Sequence, residues 1–151
     1  MKNLENLIFA LENKIDFSDK TNFDISKSNV AWQIDHSLKV INGIVYVLKN
    51  SNPDDYKWNF NFKRSLIFTL SKIPRGKAAA PKAVQSFEVI TKDKLFIQAE
   101  IAKKNVAELN NLKKNHNFNH PFLGILNLKQ TIQFLNIHTD HHLKIINDIC
   151  K

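Results

Sequence analysis

The sequence predicts an all-α protein with four principal helices, and three observations support this class. The 151 residues include only three Gly and four Pro, so few positions favour tight turns. Four segments carry apolar residues at the three- and four-residue spacing of a helix. The length is typical of one domain with a substantial core. We therefore predict a four-helix bundle that forms a single domain over residues 1–151, with a long crossover between helices 2 and 3.

The first two predicted helices are separated by a polar stretch. Helix 1 is predicted from about Lys2 to Ile15 as an amphipathic helix. Residues 16–27 are polar and lead to Ser28, a residue type that commonly caps a helix N-terminus. Helix 2 is then predicted to extend to about Lys49.

Helix 2 carries two adjoining apolar stripes, which predicts burial on more than one side. The stripes are Ile34, Leu38, Ile41, Val45 and Leu48, and Val40, Ile44 and Val47. An Asn42-Gly43 pair lies in the interior of this helix, where Gly costs on the order of 1 kcal/mol relative to Ala. A kink or a close helix crossing at Gly43 would explain its presence.

The crossover between helices 2 and 3 is predicted to contain one short helix. Residues 58–62 alternate like a strand, whereas residues 66–73 repeat like a helix that Pro74-Arg75-Gly76 ends. Residues 78–90 show no strong periodicity.

Two further helices complete the predicted bundle. Helix 3 is predicted from Thr91, as its N-cap, to about Lys114. Residues 115–121 are predicted to form a polar loop. Asn127 and Gln130 then fit a capping box that begins helix 4.

The net charge of +8 predicts a solvated lysine-rich surface and no nucleic-acid partner, with nucleic acid or an anionic ligand bound through the lysines as the alternative. Only Arg64 and Arg75 among the 22 basic residues are Arg, whereas phosphate and base recognition favour the guanidinium group. The lysines are scattered and form no basic block. The Pro74-Arg75-Gly76-Lys77 loop could still hold a carboxylate or a thiol cofactor, although it lacks the first Gly and the Ser/Thr of a phosphate-binding loop.

The sequence also predicts a cytoplasmic protein with no membrane partner. No apolar run approaches the roughly 18 residues of a membrane span, and Met1–Glu5 does not begin a signal peptide. A lone Cys150 excludes a disulfide framework and cysteine-rich metal sites. The six histidines are therefore the candidate ligands for a transition metal.

His138 and His142 lie four residues apart on helix 4, so their side chains project from one face and can bind one metal. Both lie on the apolar stripe of this helix, where an imidazole without a partner is costly to bury. The alternative is a pair of histidines whose hydrogen bonds are satisfied in the core or at its rim.

His36 supplies a third ligand from the buried stripe of helix 2. Three imidazoles leave a metal with open coordination positions, as in reactive sites and unlike closed structural ones. Asp35 and Asp140 can either accept a ring N–H from these ligands or remain solvated surface carboxylates. His141 points away from both helix-4 ligands and is left out of the predicted set.

Three segments together resemble the DinB/YfiT-like superfamily, in a branch catalogued as a domain of unknown function. The segments are Val30–Leu38, His120–Leu126 and His138–Leu143. The resemblance covers most of the chain from about Val30 onward. It implies an up-down-down-up four-helix bundle that holds a divalent metal, Zn, Ni, Mn or Fe. The implied ligands are His36, His138 and His142.

The resemblance also implies a function. Characterised members use the metal to activate a low-molecular-weight thiol of the bacillithiol, mycothiol or glutathione type, which they transfer to electrophiles. Other members isomerise maleylpyruvate. We therefore expect a metal-dependent thiol S-transferase whose partner is a small-molecule substrate or thiol. A homodimer is one assembly that this expectation includes. The alternatives are a metal-dependent hydrolase and a non-catalytic ligand-binding or stress-associated bundle.

His120 has two interpretations. It can act beside the metal as a general base or proton shuttle, because an imidazole titrates near neutral pH. Alternatively, His120-Pro121 and the nearby Gly124 form a stiff lead-in to the last helix.

Overall fold

The computed structural model describes residues 4–75 and 89–151, and this part of the chain is mostly helical. Helices account for 64% of it, which supports the predicted helical class. None of these helices is both long and apolar enough to cross a membrane. The helices are α1 (Leu4–Glu12), α2 (Val30–Asn50), α3 (Phe62–Leu70), α4 (Lys92–Glu108) and α5 (Leu128–Ile149).

The helix N-termini follow from short polar side chains. Thr91 caps α4, and Asn127 and Gln130 form the predicted capping box of α5, so both predictions are confirmed. The predicted cap of α2 was one residue early. Asn29, and not Ser28, accepts the Trp32 N–H at 2.9 Å, because its carboxamide oxygen reaches the unpaired donor of the first turn.

Four helix boundaries in the described residues differ from those predicted: the ends of α1 and α4, and both ends of α3. The first helix ends at Glu12, before a separate 3₁₀ turn at Ile15–Phe17, and α4 ends at Glu108 and not at Lys114. The short crossover helix α3 begins earlier than predicted, because Asn61 caps it by accepting the Arg64 N–H. Within the predicted aperiodic stretch 78–90, residues 78–88 lie outside the described part of the chain.

The core lies where the helices pack in pairs. Helices α1 and α2 each pack against α4 and α5. The first predicted stripe of α2 is fully confirmed, since each of its residues is buried: Ile34, Leu38, Ile41, Val45 and Leu48. The second stripe is buried at Val40 and Ile44, but Val47 is 43% exposed.

Helix α2 runs unbroken through Gly43. Gly43 is exposed, and a Cβ added there meets no atom within 4 Å. A close helix crossing is therefore absent at this position. The neighbouring Asn42 side chain instead contacts α4, where it donates to the Gln98 carbonyl and accepts from Asn105.

A β-hairpin stands where a polar loop was predicted. Strands β1 (Asn117–His120) and β2 (Gly124–Asn127) pair antiparallel, with Asn117 opposite Asn127 and His120 opposite Gly124. Gly124 has φ +71°, a conformation that glycine adopts without strain. Strands of four residues are too short to show a clear alternation, so the sequence pattern did not reveal them.

Arg64 joins α3 to this hairpin. Its side chain is buried, and its guanidinium donates to the carbonyls of Leu123 and Ile125 and to both the side chain and the carbonyl of Asn59. A buried guanidinium needs several acceptors, and these oxygens provide them. The crossover is thereby attached to the segment that leads into α5.

Candidate metal centre

Three histidines meet at the contact between α2 and α5. His138 and His142 lie one turn apart on α5, and His36 reaches them from α2, which packs against α5. His36 and His142 are buried, and His138 is partly exposed although its Nδ1 atom is buried. The structure therefore brings together the three residues that the sequence predicted as ligands.

The three ring nitrogens have the spacing that a metal requires. The Nε2 atom of His138 lies 3.3 Å from Nε2 of His36 and 3.3 Å from Nε2 of His142. One ligand atom from each residue lies within 4.8 Å of the others. Two nitrogens bound to zinc at roughly 2.0–2.1 Å in tetrahedral geometry are about 3.3 Å apart. The donor set and its spacing therefore fit a divalent transition metal.

Gln33 fixes the orientation of the His142 ring. Its Oε1 atom accepts a hydrogen bond from Nδ1 of His142 at 2.7 Å, and its Nε2 donates to Ser26 Oγ at 3.0 Å. Because a carboxamide oxygen only accepts, Nδ1 of His142 must carry the proton. The lone pair of Nε2 is then directed toward the other two histidines, as a metal ligand requires.

Sequence reasoning missed Gln33. The only available signal was its position, one helical turn before His36 on α2 and therefore on the same face. The sequence instead indicated Asp35 as a possible acceptor for the ring N–H of a ligand histidine. Its carboxylate accepts from Gln98 at 2.8 Å and pairs with Lys39 at 3.0 Å.

Aromatic rings form the walls of the site. Trp32 stacks on His36 with ring centroids 4.9 Å apart and planes within 3° of parallel. Phe134 lies beside His138, with centroids 5.5 Å apart. Among the described residues, Nδ1 of His138 has no hydrogen-bond partner, so no such contact fixes the tautomer of this ring.

Burial keeps two of the three imidazoles neutral near pH 7. It lowers the pKa of His142 to about 2, with further lowering by the positive charge that His36 and His141 would carry. Burial, followed by the same repulsion from His142 and His36, lowers the pKa of His138 well below its ordinary value. Protons therefore compete weakly with a metal for these nitrogens.

His120 lies at the end of β1 and closes the hairpin turn. Its Nδ1 accepts hydrogen bonds from the N–H groups of Phe122 at 3.1 Å and Leu123 at 3.2 Å. Its ring contacts Phe134, which also contacts His138. This arrangement favours the structural interpretation of His120, while its proposed role as a general base stays a prediction.

The two remaining polar candidates lie next to the three-histidine group. His141 stands outside it, with its ring edge-on to His142 at 5.2 Å. Asp140 pairs with Lys144 at 2.6 Å. Gln33 on α2 supplies a supporting contact to the ring of His142.

Comparison of the chain with protein-family models, curated proteins and solved structures finds no match.

Proposed function

We propose that His36, His138 and His142 hold a divalent metal, and that the chain is a metal-dependent thiol S-transferase. The observation that carries the proposal is the convergence of three Nε2 atoms, with His138 at 3.3 Å from each of the other two. Imidazole nitrogens suit zinc, nickel and iron, so the donor set alone does not select the metal.

The protein side chains prepare the site in three ways. Gln33 holds His142 in the tautomer that presents Nε2. Trp32 stacks on His36 and restricts its ring. Burial keeps His138 and His142 unprotonated near neutral pH. Three protein ligands leave at least one position of a tetrahedral site for a substrate atom.

The metal, when bound, would lower the pKa of a coordinated thiol so that it is deprotonated near neutral pH. In the proposed transfer, the thiol sulfur forms a bond to an electrophilic carbon. A leaving group such as halide departs from that carbon with the bonding electron pair, and the thiol proton passes to the solvent. The atoms and charges of the transfer therefore balance without an oxidant or a reductant.

We extend the proposal to the family and the architecture. Membership of the DinB/YfiT-like superfamily is supported by the placement of His36 on α2 and of the His138–His142 pair on α5. The up-down-down-up four-helix bundle is supported by the packing of α1 and α2 against both α4 and α5. The crossover with α3 lies between α2 and α4, as that topology expects.

Metal content and turnover test the proposal together. We expect about one equivalent of metal per chain after loading with Zn, Ni, Mn or Fe salts, and loss of this metal in His142→Ala. His116→Gln is the matched control, because His116 donates to the Leu48 carbonyl at 2.9 Å, outside the three-histidine group, and Gln can replace that donor.

Turnover is measured with an aryl halide and a panel of low-molecular-weight thiols. Thiol consumption by the metal-loaded wild type that His142→Ala does not show supports the transferase activity. Metal binding without turnover would instead support a non-catalytic binding module. Ester hydrolysis without thiol transfer would support a metal-dependent hydrolase.

A further inference from the structure

A small cavity lies near the candidate metal centre, between the end of α3 and α5. Its volume is about 150 Å³. The charged and polar residues that line it include Lys72 and Arg75 after α3, and Asp140, His141 and Lys144 on α5. Arg75 belongs to the basic loop that sequence analysis selected as a possible carboxylate holder.

Positive charge exceeds negative charge in this cavity. Three cationic side chains line it, against the single carboxylate of Asp140. Lys144 pairs with Asp140 at 2.6 Å, and Arg75 pairs with Asp148 at 2.8 Å through one of its terminal nitrogens. Lys72 has no ion-pair partner within residues 4–75 and 89–151. The cavity therefore has a cation available for an anionic ligand.

His141 connects the cavity to the metal centre. This residue lines the cavity, and its ring stands edge-on to the ring of His142 with 5.2 Å between the centroids. A small molecule bound in the cavity is thus separated from a metal ligand by a single imidazole ring. The cavity is therefore adjacent to a residue whose ring contacts a proposed metal ligand.

We propose that this cavity binds the carboxylate of the small-molecule thiol or substrate that reacts at the three-histidine centre. The inference rests on the proposed function. The volume is about 150 Å³, well below the roughly 300 Å³ at which drug-sized ligand sites begin, so the cavity fits one group of a ligand and not a whole one.

The balance of charges favours a carboxylate over a phosphate. The planar guanidinium of Arg75 matches a carboxylate in shape, and the ammonium of Lys72, which is unpaired among the described residues, supplies one more donor. Asp140 in the lining and Asp148 on Arg75 would repel a doubly charged group more strongly than a singly charged one. The substrate class is therefore a small carboxylate-bearing thiol or electrophile.

The test compares N-acetylcysteine with N-acetylcysteamine, two thiols that differ by one carboxylate, in calorimetric binding to the zinc-loaded protein. We expect N-acetylcysteine to bind at least about threefold more tightly, the scale of an exposed ion pair. The Lys72→Gln/Arg75→Gln variant should remove this difference. Lys113→Gln/Lys114→Gln removes two charges elsewhere on the surface and should preserve it.

Equal binding of the two thiols to the wild type would overturn the carboxylate site while leaving the proposed function intact. Failure of both thiols to bind would contradict the proposed function instead. In that case the cavity is tested separately with N-acetylalanine, which has no thiol. It is added to the metal-free protein at millimolar concentrations. NMR shift changes confined to residues 71–75 and 137–144 support the site, and their absence overturns it. Tighter binding of inorganic phosphate than of N-acetylalanine would also overturn the carboxylate assignment.

Discussion

Nδ1 of His142 donates a hydrogen bond to Oε1 of Gln33 at 2.7 Å, and this contact joins α5 to α2 at the centre of the candidate site. The acceptor fixes the protonated nitrogen of His142 and thereby directs Nε2 toward His36 and His138. Gln33 is itself buried and held by Ser26. A neutral side chain therefore orients one of the three proposed ligand rings.

Replacing Gln33 by Leu should weaken metal binding about 10- to 100-fold, the usual cost of losing a partner of a ligand ring. Leu is similar in size and removes the acceptor for His142. Competition with a chromophoric chelator measures the affinity. The matched control is Ser26→Ala, which leaves the bond from Gln33 to His142 in place and should have a smaller effect. An unchanged affinity in Gln33→Leu would show that the contact does not orient the ligand.

The stability of the metal-free protein should decrease in mild acid partly because of His120. Burial lowers the pKa of His120 to about 4, below the value of about 6.5 expected in the unfolded chain. The unfolded chain therefore takes up this proton first, and the free energy of unfolding decreases as the pH falls from about 6.5 to about 4. Protonation also removes the acceptor used by the Phe122 and Leu123 N–H groups.

Urea denaturation of metal-free wild type and His120→Asn at about pH 7 and about pH 5 measures this contribution. Asn offers an acceptor oxygen without titrating, so the variant should lose less stability between the two pH values. His138 and His142 titrate in both proteins, and the difference isolates His120. Equal losses of stability in the two proteins would mean that burial does not lower the pKa of His120.

Two glycines should respond to Ala in opposite directions. Gly43 lies in the interior of α2 with free space around it, so Gly43→Ala should stabilise the protein by about 1 kcal/mol. Gly124 has φ +71° and lies against Asn59 at 3.4 Å, so Gly124→Ala should destabilise it. Chemical denaturation of both variants provides the measurement. Destabilisation by Gly43→Ala would indicate a packing contact that the structure does not contain.

The two arginines should differ in their importance for stability. Arg64→Met removes a buried guanidinium and leaves the Leu123 and Ile125 carbonyls without this donor, which should cost at least about 2 kcal/mol. Arg75→Met breaks an exposed ion pair with Asp148 and should change stability by about 0.5 kcal/mol or less. Similar unfolding midpoints for the two variants would contradict the anchoring role of Arg64.

Much of the site could be predicted because helix geometry fixes it. The four-residue spacing of His138 and His142 places both rings on one face of α5 whatever surrounds them. His36 could be added because the apolar stripe of α2 predicted which of its faces is buried. Capping residues such as Thr91 and Asn127 similarly act within their own segments.

The features that were missed depend on contacts between distant segments. Gln33 shows its role only when α2 and α5 are packed together, because an amide in a helix has no motif of its own. Arg64 is buried by a hairpin about sixty residues further along the chain. That hairpin has strands of only four residues, so β1 resembled a polar loop in the sequence.

Anomalous diffraction at the zinc absorption edge, from crystals of the zinc-loaded protein, tests the central claim most directly. We predict one strong anomalous peak per chain, at roughly 2.0–2.1 Å from Nε2 of His36, His138 and His142. Gln33 should still accept the Nδ1 proton of His142 in that structure. A loaded crystal without a peak at these nitrogens, or with zinc held elsewhere, would show that the three histidines are not the metal site.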